Sequence, residues 1–167
     1  MIRPSVPEEI PALVSIAHGT NVFKPHELIA LKEVLDDYFA ANHREGDRCV
    51  TYEKDKQPIG FAYWAPAAMT DQTWYLYWIA VNKDVQARGV GAYLLKHAEE
   101  AIKKAGGRLF LIETSSLPHY TLTRKFYLKH HYEQHAVIRD YYSDGDDMVI
   151  FRKHFQQPSA PDSAVRA

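Results

Sequence analysis

The run from Ile79 to Gly91 constrains this chain more than any other stretch: Ile79-Ala80-Val81 ends an apolar segment, and Asn82 to Gly91 turns through two glycines into a long amphipathic run. A strand that hands over to a glycine-bearing turn and then to a helix leaves several main-chain N–H groups at the helix start without intrahelical partners. The helix macrodipole adds a potential that favours negative charge at the same point. The spacing therefore predicts an anion cradle, and a ligand carrying a pyrophosphate is its natural occupant.

Around that unit the sequence alternates short signals, with no internal repeat. Pro7-Glu8-Glu9 followed by Ile10, Leu13, Val14 and Ala17 predicts a helix ending near Gly19, and Leu28, Ile29, Leu31, Leu35 and Phe39 predict a second. Residues 49–53 and 59–64 read as a hairpin joined by a polar turn at 54–58. The strongest strand is 73–81, where Trp74, Tyr75, Tyr77 and Trp78 alternate, so that one set belongs to a core and the other to an accessible face. Val90, Leu94, Leu95, Ala98 and Ile102 form one apolar helical stripe closed by Gly106-Gly107, and the continuous apolar run 109–112 suits a parallel strand beside 73–81. A helix containing Phe126, Tyr127 and Leu128 and a closing hairpin near 132–139 and 148–153 follow. From Gln156 the chain is rich in Pro, Ser and Ala. The expectation is an α/β (α+β) protein with a single domain over residues 1–155 and a flexible tail over 156–167.

Composition removes several function classes. An apolar share of 46% excludes a disordered chain, and a net charge of -1 removes the bulk attraction on which nucleic-acid binding depends. No apolar run approaches the roughly 20 residues needed to span a bilayer, and the N-terminus carries no signal pattern. The expected setting is the cytoplasm, with neither nucleic acid nor membrane as partner. Cys49 is the only cysteine, which excludes an intramolecular disulfide and reads as a buried structural thiol. The nine histidines, His130, His131 and His135 among them, fall in no zinc spacing, so no metal is expected.

The order of helix pair, hairpin, strand, Gln86-x-x-Gly89-x-Gly91 turn, helix, strand, helix bearing Phe126-Tyr127, and terminal hairpin resembles the GNAT superfamily of N-acetyltransferases over residues 1–155. Its spacing is particularly similar to that of ribosomal-protein N-terminal alanine acetyltransferases. The resemblance implies a mixed, mostly antiparallel sheet of six to seven strands with about four helices, splayed at a central parallel strand pair. It also implies acetyl-CoA as co-substrate, no metal, and transfer of the acetyl group to a primary amine of a small molecule, peptide N-terminus or lysine. The expected transfer is by direct attack in a ternary complex, in a monomer or homodimer. The pyrophosphate would meet Gln86, Ala87, Arg88, Gly89, Val90, Gly91 and Ala92, with Lys83, Arg124, Lys125 and Lys129 as further cations. The pantetheine arm would run like an added strand along Ile79, Ala80 and Val81, where an amide would also stabilise the thioester oxyanion.

On the same resemblance Tyr127 matches the tyrosine that meets the CoA sulfur and protonates the leaving thiolate. Glu113 matches the position of a general base, across an inserted residue pair in the 115–120 loop. Tyr120 stands where the family carries an asparagine. Read from residue type alone, Tyr127 also suits an inner-face packing residue, and Glu113 a solvated strand end or an ion-pair partner. Asp144, Asp146 and Asp147 around Gly145 read either as an acidic rim for a cationic amine or as turn formers between two strands. Two other functions compete: a non-catalytic acyl-CoA-binding sensor, and a dinucleotide-dependent reductase in which Glu113 would bind a ribose. Against the second, Leu94 occupies the third glycine position of that fingerprint, and the chain has no room for a second nucleotide-binding half.

Overall fold

The computed structural model describes residues 1–155, the side chains of 86–88 excepted; the tail expected over 156–167 lies outside the described residues. In chain order it contains β1 (Ile2–Pro4), a 3₁₀ turn at Pro7–Glu9, α1 (Ile10–Gly19), α2 (Pro25–Phe39), β2 (Arg48–Lys54), β3 (Gln57–Pro66) and β4 (Thr73–Val81). A 3₁₀ turn at Lys83–Arg88 leads to α3 (Val90–Lys104) and β5 (Leu109–Ser115); a further 3₁₀ turn at Pro118–Tyr120 precedes α4 (Thr121–Lys129), β6 (Glu133–Ser143) and β7 (Asp146–His154). The strands form one sheet in the order β1-β2-β3-β4-β5-β7-β6, antiparallel except for the β4–β5 pair. This is the mixed, mostly antiparallel seven-stranded sheet with a central parallel pair and four helices.

Local chemistry sets the element ends. Prolines stand in the first turns of α1 and α2, where the missing N–H costs nothing, and the Glu27 carboxylate accepts from the Lys24 N–H at 2.6 Å to cap α2. Gly106 leaves α3 at φ +84, the left-handed exit that favours glycine. The closing hairpin is longer than the sequence predicts: β6 extends to Ser143 and β7 begins at Asp146, because Asp144-Gly145, with Gly145 at φ +78, makes a tight connection between Ser143 and Asp146.

Helices cover both faces of the sheet. On one face Leu94, Leu95, Ala98 and Ile102 of α3 pack with Trp64, Trp74, Leu76, Phe110 and Phe151. On the other, Leu13, Ile16, Leu31 and Leu35 pack with Phe61, Tyr63, Ala65 and Ala80. Leu13, Leu31, Leu35 and Leu94 are wholly buried, each contributing about 1.5–3 kcal/mol.

The central strands do not stay together. Parallel pairing runs only from Thr73↔Leu109 to Leu76↔Ile112. Beyond it β4 follows β3, from Tyr63↔Trp78 to Gly60↔Val81, while β5 continues along β7, with Glu113 opposite Ile150. Trp64 pairs with Leu76 and Tyr63 with Trp78, so Tyr77 is an extra residue on β4 and forms a bulge that adds twist. Simple alternation along 73–81 is thereby corrected. Trp74 and Leu76 face the α3 core and Ile79 and Val81 return to it past the bulge, whereas Trp78 packs with the core on the other side. No helix among the described residues is long and apolar enough to cross a membrane.

Candidate functional site

The predicted anion corner stands at the start of α3. Gly89 is its N-cap at φ +75 and ψ 8; a Cβ there would meet nothing nearer than Tyr93 at 3.9 Å, so backbone conformation and not space requires glycine. Gly91 differs, since a Cβ would lie 3.6 Å from Phe126 and 3.7 Å from Val81, which is ordinary contact. Phe126 of α4 thus lies against the first turn of α3. That turn has neither a side-chain cap nor an acidic residue, while Lys103 and Lys104 occupy the last turn. Tyr93 N–H returns to Gly89 O at 3.1 Å, but the N–H groups of Val90, Gly91 and Ala92 precede any intrahelical acceptor. Their donors and the positive end of the dipole converge on one point. The backbone of Gln86, Ala87 and Arg88 forms the preceding 3₁₀ turn, which Asn82 opens by accepting from Asp84 N–H at 3.0 Å. Lys83, Lys125 and Lys129 are exposed. Arg124 is committed elsewhere: its guanidinium donates to Ser115 O at 2.6 Å and Leu117 O at 3.1 Å, fastening the β5–α4 loop.

Ile79, Ala80 and Val81 lie on the part of β4 that has left β5. Tyr127 is 3% exposed, its ring centroid 5.4 Å from that of Phe126, 5.7 Å from Phe151 and 5.8 Å from Tyr132. Its hydroxyl has no hydrogen-bond partner among the described residues, and burial raises its pKa, so the phenol stays protonated.

On the α2 side, where β4 and β5 diverge, is a cleft of about 320 Å³ walled by Phe23, Tyr75, Tyr77, Trp78, Tyr120 and Tyr142. Three carboxylates line it. Glu27 caps α2. Asp146, 1% exposed, accepts from Ser115 Oγ and from Lys24 Nζ at 3.0 Å; burial alone would raise its pKa, but these two donors hold it below the ordinary carboxylate range. Glu113 alone among them has no hydrogen-bond or ion-pair partner among the described residues. It opens onto the cleft, yet protein on its flanks strips part of its hydration, and that raises its pKa.

The three aspartates of the last hairpin are not gathered into one acidic rim. Asp146 is buried in the cleft with its charge engaged, Asp147 accepts from Asp140 N–H at 2.8 Å, and Asp144 is exposed on the turn. Sequence reasoning missed Lys24 and Ser115, which join Asp146 across 122 and 31 positions; no local pattern announces such a pairing. Cys49 is buried, donates to Ser5 Oγ at 3.3 Å and is pushed up to about 12 by burial, which leaves it no nucleophilic role. Among the described residues no group of three or more His, Cys, Asp or Glu side chains is placed to hold a metal ion.

Comparison with known proteins bears on this geometry. Residues 45–134, more than half of the chain, match the acetyltransferase (GNAT) domain family. A solved GNAT-family protein from Desulfovibrio desulfuricans is 31% identical, superimposes with a TM-score of 0.85, and is matched over 92% of this chain and 98% of its own. An aminoglycoside 6'-N-acetyltransferase complexed with coenzyme A has a TM-score of 0.79 at 16% identity, over 95% of this chain and 99% of its own. The ribosomal-protein-S18-alanine N-acetyltransferase of Escherichia coli has a TM-score of 0.72 at 16% identity, over 99% of both chains. At such identities these last two share the fold. No curated protein sequence matches the chain significantly.

Proposed function

This chain belongs to the GNAT acetyltransferase family and is an acetyl-CoA-dependent N-acetyltransferase; within that activity, we propose that it acetylates a primary amine bound in the cleft beside Glu113. The observation that carries the reading is the divergence of β4 and β5 past Leu76↔Ile112, with the uncapped α3 start and the cleft carboxylate both close to the gap it opens.

In this reading the pyrophosphate of acetyl-CoA rests on the main-chain N–H groups of residues 89–92, with the backbone of Gln86, Ala87 and Arg88 completing the cradle. The pantetheine arm pairs along Ile79, Ala80 and Val81, as a strand would where β5 no longer runs. A main-chain N–H of that segment faces the thioester oxygen as negative charge develops on it. The incoming ammonium loses a proton to Glu113, directly or through one water, and the free amine attacks the thioester carbonyl. The C–N bond forms, the C–S bond breaks, Tyr127 gives its proton to the departing thiolate, and the surplus proton on the new nitrogen passes to the Tyr127 phenolate, directly or through water. Two facts support the assignments: Glu113 is the one cleft carboxylate not already engaged, and its raised pKa makes it a stronger base. Tyr127 holds a protonated hydroxyl without a protein partner next to Phe126, which touches Gly91.

The acceptor class stays within small-molecule and peptide amines, and residues 1–155 act as one catalytic domain. A reducing, cytoplasmic setting suits the lone buried thiol. Calorimetric titration with acetyl-CoA, CoA and NADP, joined to thiol release across an amine and peptide panel, tests the reading. Binding of acetyl-CoA with turnover of at least one amine is expected; binding of NADP in preference to acetyl-CoA would refute it, and CoA binding without turnover on any amine would favour a sensor.

A further inference from the structure

Adjoining the cleft, and sharing Tyr77 and Trp78 with it, is a second cavity of about 400 Å³. It lies between α2 at Val34 and Asp37, the loop 42–47, and the end of β3 at Tyr63, Ala65 and Pro66. Gly46 makes the local geometry: at φ +96, and so near Pro66 that a Cβ would come within 3.0 Å of its ring, it turns the chain inward and leaves Asp47 only 7% exposed. One Asp47 oxygen, Oδ2, accepts from the Tyr63 hydroxyl at 2.7 Å. The other, Oδ1, is buried without any partner among the described residues.

An unsatisfied oxygen of that kind carries a desolvation cost; Oδ1 is closed to solvent in this conformation, but Asp47 itself lines the cavity, and a donor there would relieve that cost once the carboxylate turns toward it. The cavity's other walls favour a cationic donor. Tyr63, Tyr77 and Trp78 offer aromatic rings, against which an ammonium is attracted, and Asp37 adds a second, exposed carboxylate. Arg44 and His43 also line the space, but both are exposed and neither reaches Oδ1. Tyr77, itself partly desolvated, feels the Arg44 charge most and those of Glu113 and Asp47 after it, so one aromatic residue stands within electrostatic range of both carboxylates and of the exposed guanidinium at the cavity's edge.

We propose that this cavity is a subsite for a second, distal ammonium of the acceptor, so that the favoured acceptors are linear diamines or polyamines. The reacting amine lies beside Glu113 while the far ammonium enters the second cavity past Tyr77 and Trp78, where a small turn of the Asp47 side chain brings its unpartnered Oδ1 to the donor. This deepens the acetyltransfer reading and rests on it.

The test compares thiol release from acetyl-CoA with α,ω-diaminoalkanes from 1,3-diaminopropane to 1,8-diaminooctane against the matched monoamines. At one chain length or more the diamine KM is expected to be at least tenfold lower than that of its monoamine; equal KM values at every length overturn the proposal. Asp47→Asn keeps the shape and the acceptor for Tyr63 while removing the charge. It should raise the diamine KM at least tenfold and leave kcat, the monoamine KM and calorimetric acetyl-CoA affinity unchanged. An equal rise for diamines and monoamines, or no rise, overturns the subsite. Should Asp47→Asn lose acetyl-CoA binding through misfolding, the wild-type chain-length comparison decides alone. Should acetyl-CoA bind but no amine react, the acetyltransfer reading fails, and titration of 1,4-diaminobutane and 1,8-diaminooctane into the CoA complex judges the subsite separately. Binding that weakens in Asp47→Asn supports it, and absent or unaltered binding overturns it.

Discussion

Replacing Tyr127 by Phe separates chemistry from packing. The ring is 3% exposed and lies 5.4–5.8 Å, centroid to centroid, from Phe126, Phe151 and Tyr132, contacts that phenylalanine keeps in full. Only the hydroxyl is lost, and it has no protein partner among the described residues, so no hydrogen bond is broken. The hydroxyl is not sealed from solvent, so its loss should change stability by less than about 1 kcal/mol, or less than about 2–4 °C in Tm for a domain of this size. A proton donor to the leaving thiolate is worth about 10²–10⁴-fold in rate, or about 3–5 kcal/mol of barrier. Tyr127→Phe should therefore be about as stable as the parent and far slower in single-turnover thiol release from acetyl-CoA under saturating acceptor. Tyr127→Ala, as the packing control, should lose about 3–5 kcal/mol of stability. Single-turnover rates within twofold of the parent, with Tm unchanged, would refute the acid assignment and leave Tyr127 a core residue.

Gly89→Ala forces a side chain into the left-handed region and should cost about 1–2 kcal/mol in chemical denaturation, whereas Gly91→Ala, with room for its methyl, should gain up to about 1 kcal/mol of helix propensity; equal losses at both sites would contradict the geometry. Glu113 has a raised pKa in the folded state, so the native protein binds that proton more tightly and stability declines as pH climbs from the unfolded carboxyl value through the folded one. Glu113→Gln should remove that decline, leave stability at pH 7 equal or higher, and cut turnover about 10²-fold or more; unimpaired kcat across the pH profile would exclude the base. Asp146 has the opposite sign: its lowered pKa gives stability present above the ordinary carboxylate value and lost as pH falls through the folded one. Asp146→Asn should cost about 2–3 kcal/mol at pH 7, by breaking the Lys24 pair, and flatten the acid limb of unfolding below the ordinary carboxylate range; an unchanged acid limb would show that the pair contributes nothing.

Much of the fold is legible in one dimension because its signals are local. The stripe Val90, Leu94, Leu95, Ala98 and Ile102 became the buried face of α3, the aromatic run 73–81 became β4, and Gly89 took the left-handed conformation that the turn demands. Hydrophobic period and turn chemistry act over a few residues, and the sequence carries them directly. For the candidate site the sequence offers proposals of two kinds, a backbone cradle at the start of α3 and the family positions matched by Glu113 and Tyr127, whose roles await the experiments above. The acceptor side was not legible. The loop 42–47 reads as an ordinary helix exit, and Asp144-Gly145-Asp146-Asp147 as a turn.

Tertiary structure decided those points. The bulge at Tyr77 broke an alternation that sequence alone predicts to be regular, and left Tyr75, Tyr77 and Trp78 lining the cleft. Burial engaged Asp146 with Lys24 and Ser115, left Glu113 as the cleft carboxylate without a partner among the described residues, and sealed Asp47 Oδ1 unpartnered in the wall of a second cavity. The physical reason is the same in each case. Which polar atom finds a partner depends on what chain folding brings within about 3 Å of it, and those partners come from segments whose separation along the sequence carries no record of their meeting.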